Sequence, residues 1–382
     1  MTGFNMKNVL QFLSFFIFIS LELSTVSAVT YLSSASNGAA WTSTTTLDAY
    51  QNTSNNFVGR SSSATYNPTG GDTLKGFFMF RAGFSSWSSG TLTWDGLGII
   101  DNVFSIPTGG TLSLTSDLHL GPKATIASGG GFTINGTASY PGAKIFLDGD
   151  AVILSRTCNV NTGTYLTIDG QGHAFTVANG GSLNYGNVTL SNMDILLTNT
   201  AGYLYNSLSI GSSYIFENLT IRAGGDGTRV RIARAQSNDP LITINGDVRL
   251  EGFGQRIIVN AAITINSNSK LYVGPGVILT NFISIAMTDQ TSVLHLDGCQ
   301  FYTGNDSDGA SLSSGLTLTK GTLILENNVK IFNRNYGNTG AANANMSKAL
   351  ILGDGSSTND VNVVVRAGAY VAVDGCVDYR AS

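Results

Sequence analysis

Charge is what this chain has least of. Asp, Glu, Lys and Arg make up 12% of its 382 residues, about half the share usual in soluble domains. The formal net charge is only −4, and no clustered basic face offers the footprint that nucleic acid requires. Nucleic acid is therefore excluded as a partner. Proline is rare, with 6 residues, and cysteine rarer, with 3. Cys158, Cys299 and Cys376 are far apart and odd in number, whereas a disulfide framework needs even, dense cysteines. The paired Cys or His spacings of a zinc site are missing too. Three separate buried thiols are the expected arrangement, with one disulfide left open in an oxidising compartment. Beyond the N-terminal region no segment shows a convincing 3.6-residue apolar period, so amphipathic helices are not expected.

What is present is glycine, 46 residues, in a chain that is 42% hydrophobic. Abundant aromatic and β-branched residues exclude intrinsic disorder. Low charge with many Gly, Ser, Thr and Asn suits short strands joined by tight turns. The N-terminus reads as a secretory signal peptide over residues 1–28. It has Lys7, an apolar run from Val9 to Ile19, and small residues before Ala28. Met6 is a second candidate start, and cleavage is expected after Ala28. The apolar run is too short to span a bilayer, which takes about 20 residues, and no later segment is a spanning candidate. The expected product is exported, secreted or periplasmic.

Along the rest of the chain a small unit recurs: apolar, any residue, apolar, then a turn. "LTI" at 166, "FTV" at 175, "VTL" at 188, "LTI" at 219, "VRL" at 248, "LYV" at 271 and "LIL" at 323 are examples. Strands this short bury little as hairpins. Wound into coils of three strands, each can stack on the strand one coil away, which is the logic of a solenoid. Asn precedes several triplets, at Asn187, Asn192, Asn218, Asn328 and Asn362. Asn at a fixed point of a coil suits a left-handed corner, and stacked Asn side chains can hydrogen-bond along the axis. Asn192 and Asn218 are spaced as one coil would require.

"LTIDGQGHAFTV", followed by "NVTLSNMDIL", resembles the right-handed parallel β-helix of the pectin-lyase-like superfamily. The resemblance covers roughly residues 105 to 376. It implies an all-β, right-handed parallel β-helix of about a dozen coils, with an axis of about 60 Å at about 4.8 Å per coil. Residues 105–382 are assigned to this solenoid. Residues 29–104, with Trp41, Trp87, Trp94 and the cluster "GFFMFRAGF", are assigned to an N-terminal cap, since the first coil of a solenoid exposes an edge that needs covering. An aromatic-lined binding module is the other reading of that segment. "GGGFTIN" at 129–135 partly resembles the repeats of chlamydial polymorphic outer-membrane proteins, but the accompanying Gly-Gly-Ala-Ile form and barrel are absent. The C-terminus runs in strands almost to its end. Either its last coil is blunted by Asp374, Asp378 and Arg380, or it pairs with another chain and makes an oligomer through that coil.

Three sets of residues are candidates for chemistry. Asp169 and His173 lie close in sequence, but "DGQG" reads as a tight turn with Gly170 and Gly172 at positive φ, Asp169 capping it and His173 at a coil corner. Arg222, Arg229, Arg231 and Arg234 form the one basic cluster, with Arg229 and Arg231 alternating with Val230 and Ile232 so that both point outward. Paired Arg forks suit carboxylate or sulfate groups, and these four are the ligand-binding candidates. In the polysaccharide lyases of the superfamily that the chain resembles, an Arg or Lys beside acidic calcium ligands abstracts a proton. The resemblance thus makes Arg229, Arg231 and Asp226 weak catalytic candidates, with Asp247 and Glu251 nearby. No complete calcium site is legible. "NDSDG" at 305–309 is only a fragment of a calcium loop, and "DGSSTND" at 354–360 is a surface turn. No other cofactor is indicated.

Two functions remain. One is a non-catalytic surface or secreted β-helix, adhesin-like or structural, binding extracellular glycans or a host or cell-surface protein along its coil face. The other is a lyase or hydrolase of an acidic polysaccharide. A groove where two carboxylates and an Arg or Lys converge favours the second, and a flat face of Thr, Ser and Asn favours the first.

Overall fold

A computed structural model describes the chain at 30–32, 46–50, 73–75, 78–80, 90–95, 98–100, 103–104, 110–114, 117–120, 125–126, 131–134, 144–153, 158–160, 165–178, 183–184, 187–199, 205–207, 214–225, 229–233, 241–252, 256–259, 261–280, 284–303, 315–332, 348–356, 360–374 and 376–380. Before Leu112, and in the strands at 125–126, 131–134, 158–160, 183–184, 205–207 and 229–233, only the backbone is described. Residues 1–28 lie outside the described residues, as do Asp226, Arg234 and 305–309.

The described residues form strands and turns and contain no helix. The chain is a parallel β-solenoid. Each coil contributes three strands, and each strand bonds to its equivalents one coil away. One column passes through Ala174–Ala178, Asp194–Asn199, the second half of Tyr214–Gly225, the second half of Leu241–Gly252, Lys270–Val273, Val293–Asp297, Gly321–Glu326 and Val361–Val365, in register throughout. A second passes through Tyr165–Asp169, Asn187–Ser191, the first halves of the two long strands, Ala262–Ile265 and Ser284–Met287. The third includes Arg229–Ala233, Arg256–Val259, Ile278–Thr280, Gln300–Tyr302, Asn328–Phe332 and Tyr370–Asp374. Coil length varies: Asp169 faces Ser191 after 22 residues, and Ser191 faces Glu217 after 26.

The apolar-x-apolar triplets explain the core. Their outer letters point inward and meet the same position above and below. Phe175, Ile195, Ile221, Leu250, Val273, Leu296 and Leu325 form one such stack, and all are buried. Ile168, Leu190, Phe216, Ile244, Ile265 and Met287 form another. Burying one such side chain stabilises by roughly 1.5–3 kcal/mol, so short strands suffice when every coil repeats the contact.

The corners carry the polar repeats. Gln171, Asn192, Asn218 and Asn268 take left-handed φ of 50°, 52°, 48° and 54° between the second and first columns, and Gly246 holds the equivalent corner at 63°. Asn327 does so between the first and third columns, at 54°. The expected Asn corner is thus correct for Asn192 and Asn218, whereas Asn187, Asn328 and Asn362 lie within strands. In "DGQG" it is Gln171 and Gly172 (φ 87°), not Gly170, that turn left-handed. Gly170 is required for space: a Cβ there would collide with Met193 Cβ and the Asn192 carbonyl.

The parallel ladder does not start at 105. Gly90–Asp95 and Gly98–Ile100 pair parallel with Gly110–Leu114 and Leu118–Leu120, and Thr73–Lys75 pairs with Gly90–Asp95. Of these stretches, Gly90–Asp95, Gly110–Leu114 and Leu118–Leu120 carry the apolar-x-apolar triplet of the later coils, as "LTW", "LSL" and "LHL". At the end of that column Thr30–Leu32 lies antiparallel to Thr46–Tyr50, a change of direction that terminates the parallel series. The thiols are not uniformly buried: Cys299 is, but Cys376 is exposed, and both are free. It sits at the start of the last strand, Cys376–Tyr379, whose one register partner is Lys348–Leu352. The side chain of Cys158 lies outside the described residues. No described helix is long and apolar enough to cross a membrane.

Candidate functional site

Because inward positions are apolar, chemistry falls to the middle letters of the triplets, which face outward. In the first column register aligns Asp194, Thr220, Arg249, Tyr272 and His295 along the axis. A neighbouring row aligns Arg222 with Glu251, and Asp297 with Glu326. The corner supplies Asp247, next to Lys270.

These side chains hold one another. The Arg222 guanidinium reaches Glu251 Oε2 at 3.1 Å and Asp194 Oδ2 at 3.4 Å. Arg249 Nε donates to Glu251 Oε1 at 3.1 Å, and its guanidinium carbon stands 4.0 Å from the centre of the Tyr272 ring. Lys270 Nζ reaches Asp247 Oδ2 at 3.4 Å. Burial pulls the Arg249 pKa down, but the hydrogen bond and charge of Glu251 outweigh it and the net shift is upward, so the cation is permanent. The Tyr272 hydroxyl donates to Asp297 Oδ2 at 2.5 Å, while Asn327 Nδ2 donates to Asp297 Oδ1 at 2.6 Å. Burial, then the hydrogen bond to Asp297 and its charge, raise the Tyr272 pKa well above the ordinary phenol range. This phenol is a hydrogen-bond donor at any physiological pH, not a base. His295 completes the row, edge-on to Tyr272 and 2.9 Å from Glu326 Oε2.

At one end of this stripe an open groove of about 390 Å³ runs across two corners. Its polar lining is Asn192, Asp194, Asn218, Thr220, Asp247 and Arg249. Asn218 Oδ1 accepts from the Asp247 amide at 3.1 Å, and Asn192 Nδ2 donates to Asp169 Oδ1 at 3.1 Å. The groove walls are thereby fixed by corner-to-corner hydrogen bonds. Among the described residues no three His, Cys, Asp or Glu side chains converge as a metal site would require.

The candidates from the sequence fall in different places. Arg222 lies on this face, half exposed and paired. Arg229 and Arg231 occupy a strand of the third column, a different face from Arg222, and their side chains lie outside the described residues. Asp226 and Arg234 lie outside them entirely. Asp169 and His173 do not converge. Asp169 Oδ1 accepts the Gln171 amide at 3.1 Å, the expected turn cap, while His173 Nδ1 stands 3.8 Å from Asp150 Oδ1 of the preceding coil. "DGSSTND" opens as a turn, with the Ser356 amide donating to Asp354 Oδ1 at 2.8 Å. Arg249, Lys270 and Tyr272 were missed. The signal of Arg249 and Tyr272 was in the triplets "VRL" and "LYV", whose middle letters form the outward row, and Lys270 directly precedes the second triplet.

No protein family, curated protein or solved structure matches this chain.

Proposed function

We propose that this protein is an exported, non-catalytic β-solenoid that binds glycans along the outer face of its first column, in an adhesin-like or structural role. On this reading it is a right-handed member of the pectin-lyase-like superfamily, delivered by the signal peptide at residues 1–28. The observation that carries the binding reading is the groove at Asn192, Asp194, Asn218, Thr220, Asp247 and Arg249. Amide, hydroxyl, carboxylate and guanidinium groups there are fixed in place, and Tyr272 follows beneath Arg249. Such a set offers donors and acceptors to the hydroxyls of a sugar chain, while the Tyr272 ring, covered by Arg249, supports the guanidinium from below. The cation of the groove, Arg249, is held by the carboxylate of Glu251, which suits recognition more than proton abstraction.

The groove holds two carboxylates, Asp194 and Asp247, together with Arg249, and this supports the second reading, cleavage of an acidic polysaccharide. One experiment separates them. The exported chain is titrated calorimetrically with neutral and uronate oligosaccharides, and turnover is followed by release of reducing ends or unsaturated products. Binding without turnover, weakened about tenfold or more in Arg249→Ala through loss of a charged hydrogen-bonding group, is the expected result. Turnover abolished by Asp247→Asn establishes the second reading instead. No binding to any glycan tested overturns both.

A further inference from the structure

The last coil leaves the core open. Val361–Val365 bonds through one edge to Gly321–Glu326, and among the described residues no register pairs its other edge. Val363 and Val365 continue the inward stacks of Leu323 and Leu325, yet Val365 is 56% exposed. Tyr370, Val377 and Tyr379 are 62%, 50% and 67% exposed, and with Val363 and Val365 they make five of the seven large exposed apolar side chains among the described residues. A strand edge with free amide and carbonyl groups beside an uncovered core is a template for another strand.

We propose that this end is closed by a second copy of the same chain, end to end about a two-fold axis through Val363. The stretch from Asp360 to Arg366 reads Asp-Val-Asn-Val-Val-Val-Arg. Paired antiparallel with itself and centred on Val363, it sets Val361 against Val365 of the second copy and Val363 against Val363. Inward residues thus meet inward residues, as register demands. The same pairing sets Asp360 of each copy opposite Arg366 of the other. Both are exposed, and neither side chain has an ion-pair partner among the described residues. The axis also lays Tyr370–Asp374 of one copy over Cys376–Tyr379 of the other, covering the exposed tyrosines. Closed two-fold pairing is the commonest form of self-association. The antiparallel Thr30–Leu32 at the opposite end breaks the parallel ladder that a head-to-tail filament would continue.

The test is sedimentation equilibrium of the full chain, purified after export, with far-UV circular dichroism to monitor the fold. A closed two-copy species is expected. Asp360→Arg alone, or Arg366→Asp alone, makes both symmetric contacts repulsive and weakens association by about tenfold. The double swap Asp360→Arg with Arg366→Asp restores it, and Val363→Lys, placing like charges on the axis, abolishes it. A monomer at every concentration, assemblies that grow without limit, or a double swap no better than the singles overturns the proposal.

Discussion

Replacing Asn192 by Ala and by Gly separates what holds a corner of this solenoid. Asn192 is exposed, with φ 52°. Its side chain donates one hydrogen bond, to Asp169 Oδ1 at 3.1 Å, and its backbone donates to Glu217 and accepts from Gly172. Both substitutions keep the backbone bonds and lose the side-chain bond, at a cost of about 0.5–1.5 kcal/mol. Ala carries a further cost of about 1 kcal/mol or more, because its Cβ crowds the carbonyl in the left-handed region that Asn and Gly tolerate. The expected losses are therefore about 2 kcal/mol for Asn192→Ala and about 1 kcal/mol for Asn192→Gly. The order is the informative part, since at an ordinary strand position Gly is worse than Ala by roughly 0.5–1 kcal/mol. Thr220, inside Tyr214–Gly225, is the control, where Gly should be the worse of the two. Guanidinium denaturation followed by far-UV circular dichroism gives the ranking. If Asn192→Ala is as stable as Asn192→Gly, backbone geometry is not what selects Asn at the corners.

Other outcomes follow from particular side chains. Tyr272→Phe removes one of the two donors to the carboxylate of Asp297, which is only 8% exposed, and should destabilise by about 1.5–3 kcal/mol in the same denaturation assay. Gly170→Ala should destabilise strongly although the residue is small, because its Cβ has backbone and Met193 in its way; a lowered melting temperature checks it. Cys299 is buried and its thiol is pushed up to about 12 by burial, so in the native state at pH 8 a disulfide reagent should leave Cys299 unmodified and label it only after unfolding, as mass spectrometry of the labelled peptides will show. The Asp289 pKa is lowered, first by the hydroxyl and then by the amide of Thr291. Any stability it confers is present above the unfolded carboxylate pKa and lost as pH falls through the lower, folded value. A carboxyl NMR titration should show the low value, and Thr291→Val should raise it.

Much of the architecture was legible because it rests on local repetition. A triplet such as "LTI" at 219 announces its own inward and outward letters, and dozens of such letters agree. The site was legible only in part. Arg222, Arg229 and Arg231 form one cluster in sequence, yet the last two lie in another column. Conversely, Arg249 and Tyr272 are distant in sequence but are direct register neighbours. In a solenoid, nearness along the chain means separation around the coil, and nearness in space means one coil of sequence.

That rule also explains why Asp169 and His173 suggest a dyad and are not one. They flank a left-handed corner, so the chain reverses between them, and each finds its partner on a different neighbouring coil: Asn192 on the following one for Asp169, Asp150 on the preceding one for His173. To place such partners from sequence one needs the length of each coil, and it changes from 22 to 26 residues between adjacent coils. The dependable marks of register are the corners themselves, where left-handed φ restricts the choice to Asn, Gln or Gly: Gln171, Asn192, Asn218, Gly246 and Asn268. The count from corner to outward row varies from coil to coil: two residues from Asn192 to Asp194 and from Asn218 to Thr220, three from Gly246 to Arg249, and four from Asn268 to Tyr272. The outward face of this solenoid is therefore encoded by register from coil to coil, which a left-handed corner narrows to a window of two to four residues, and not by clustering of charge along the chain.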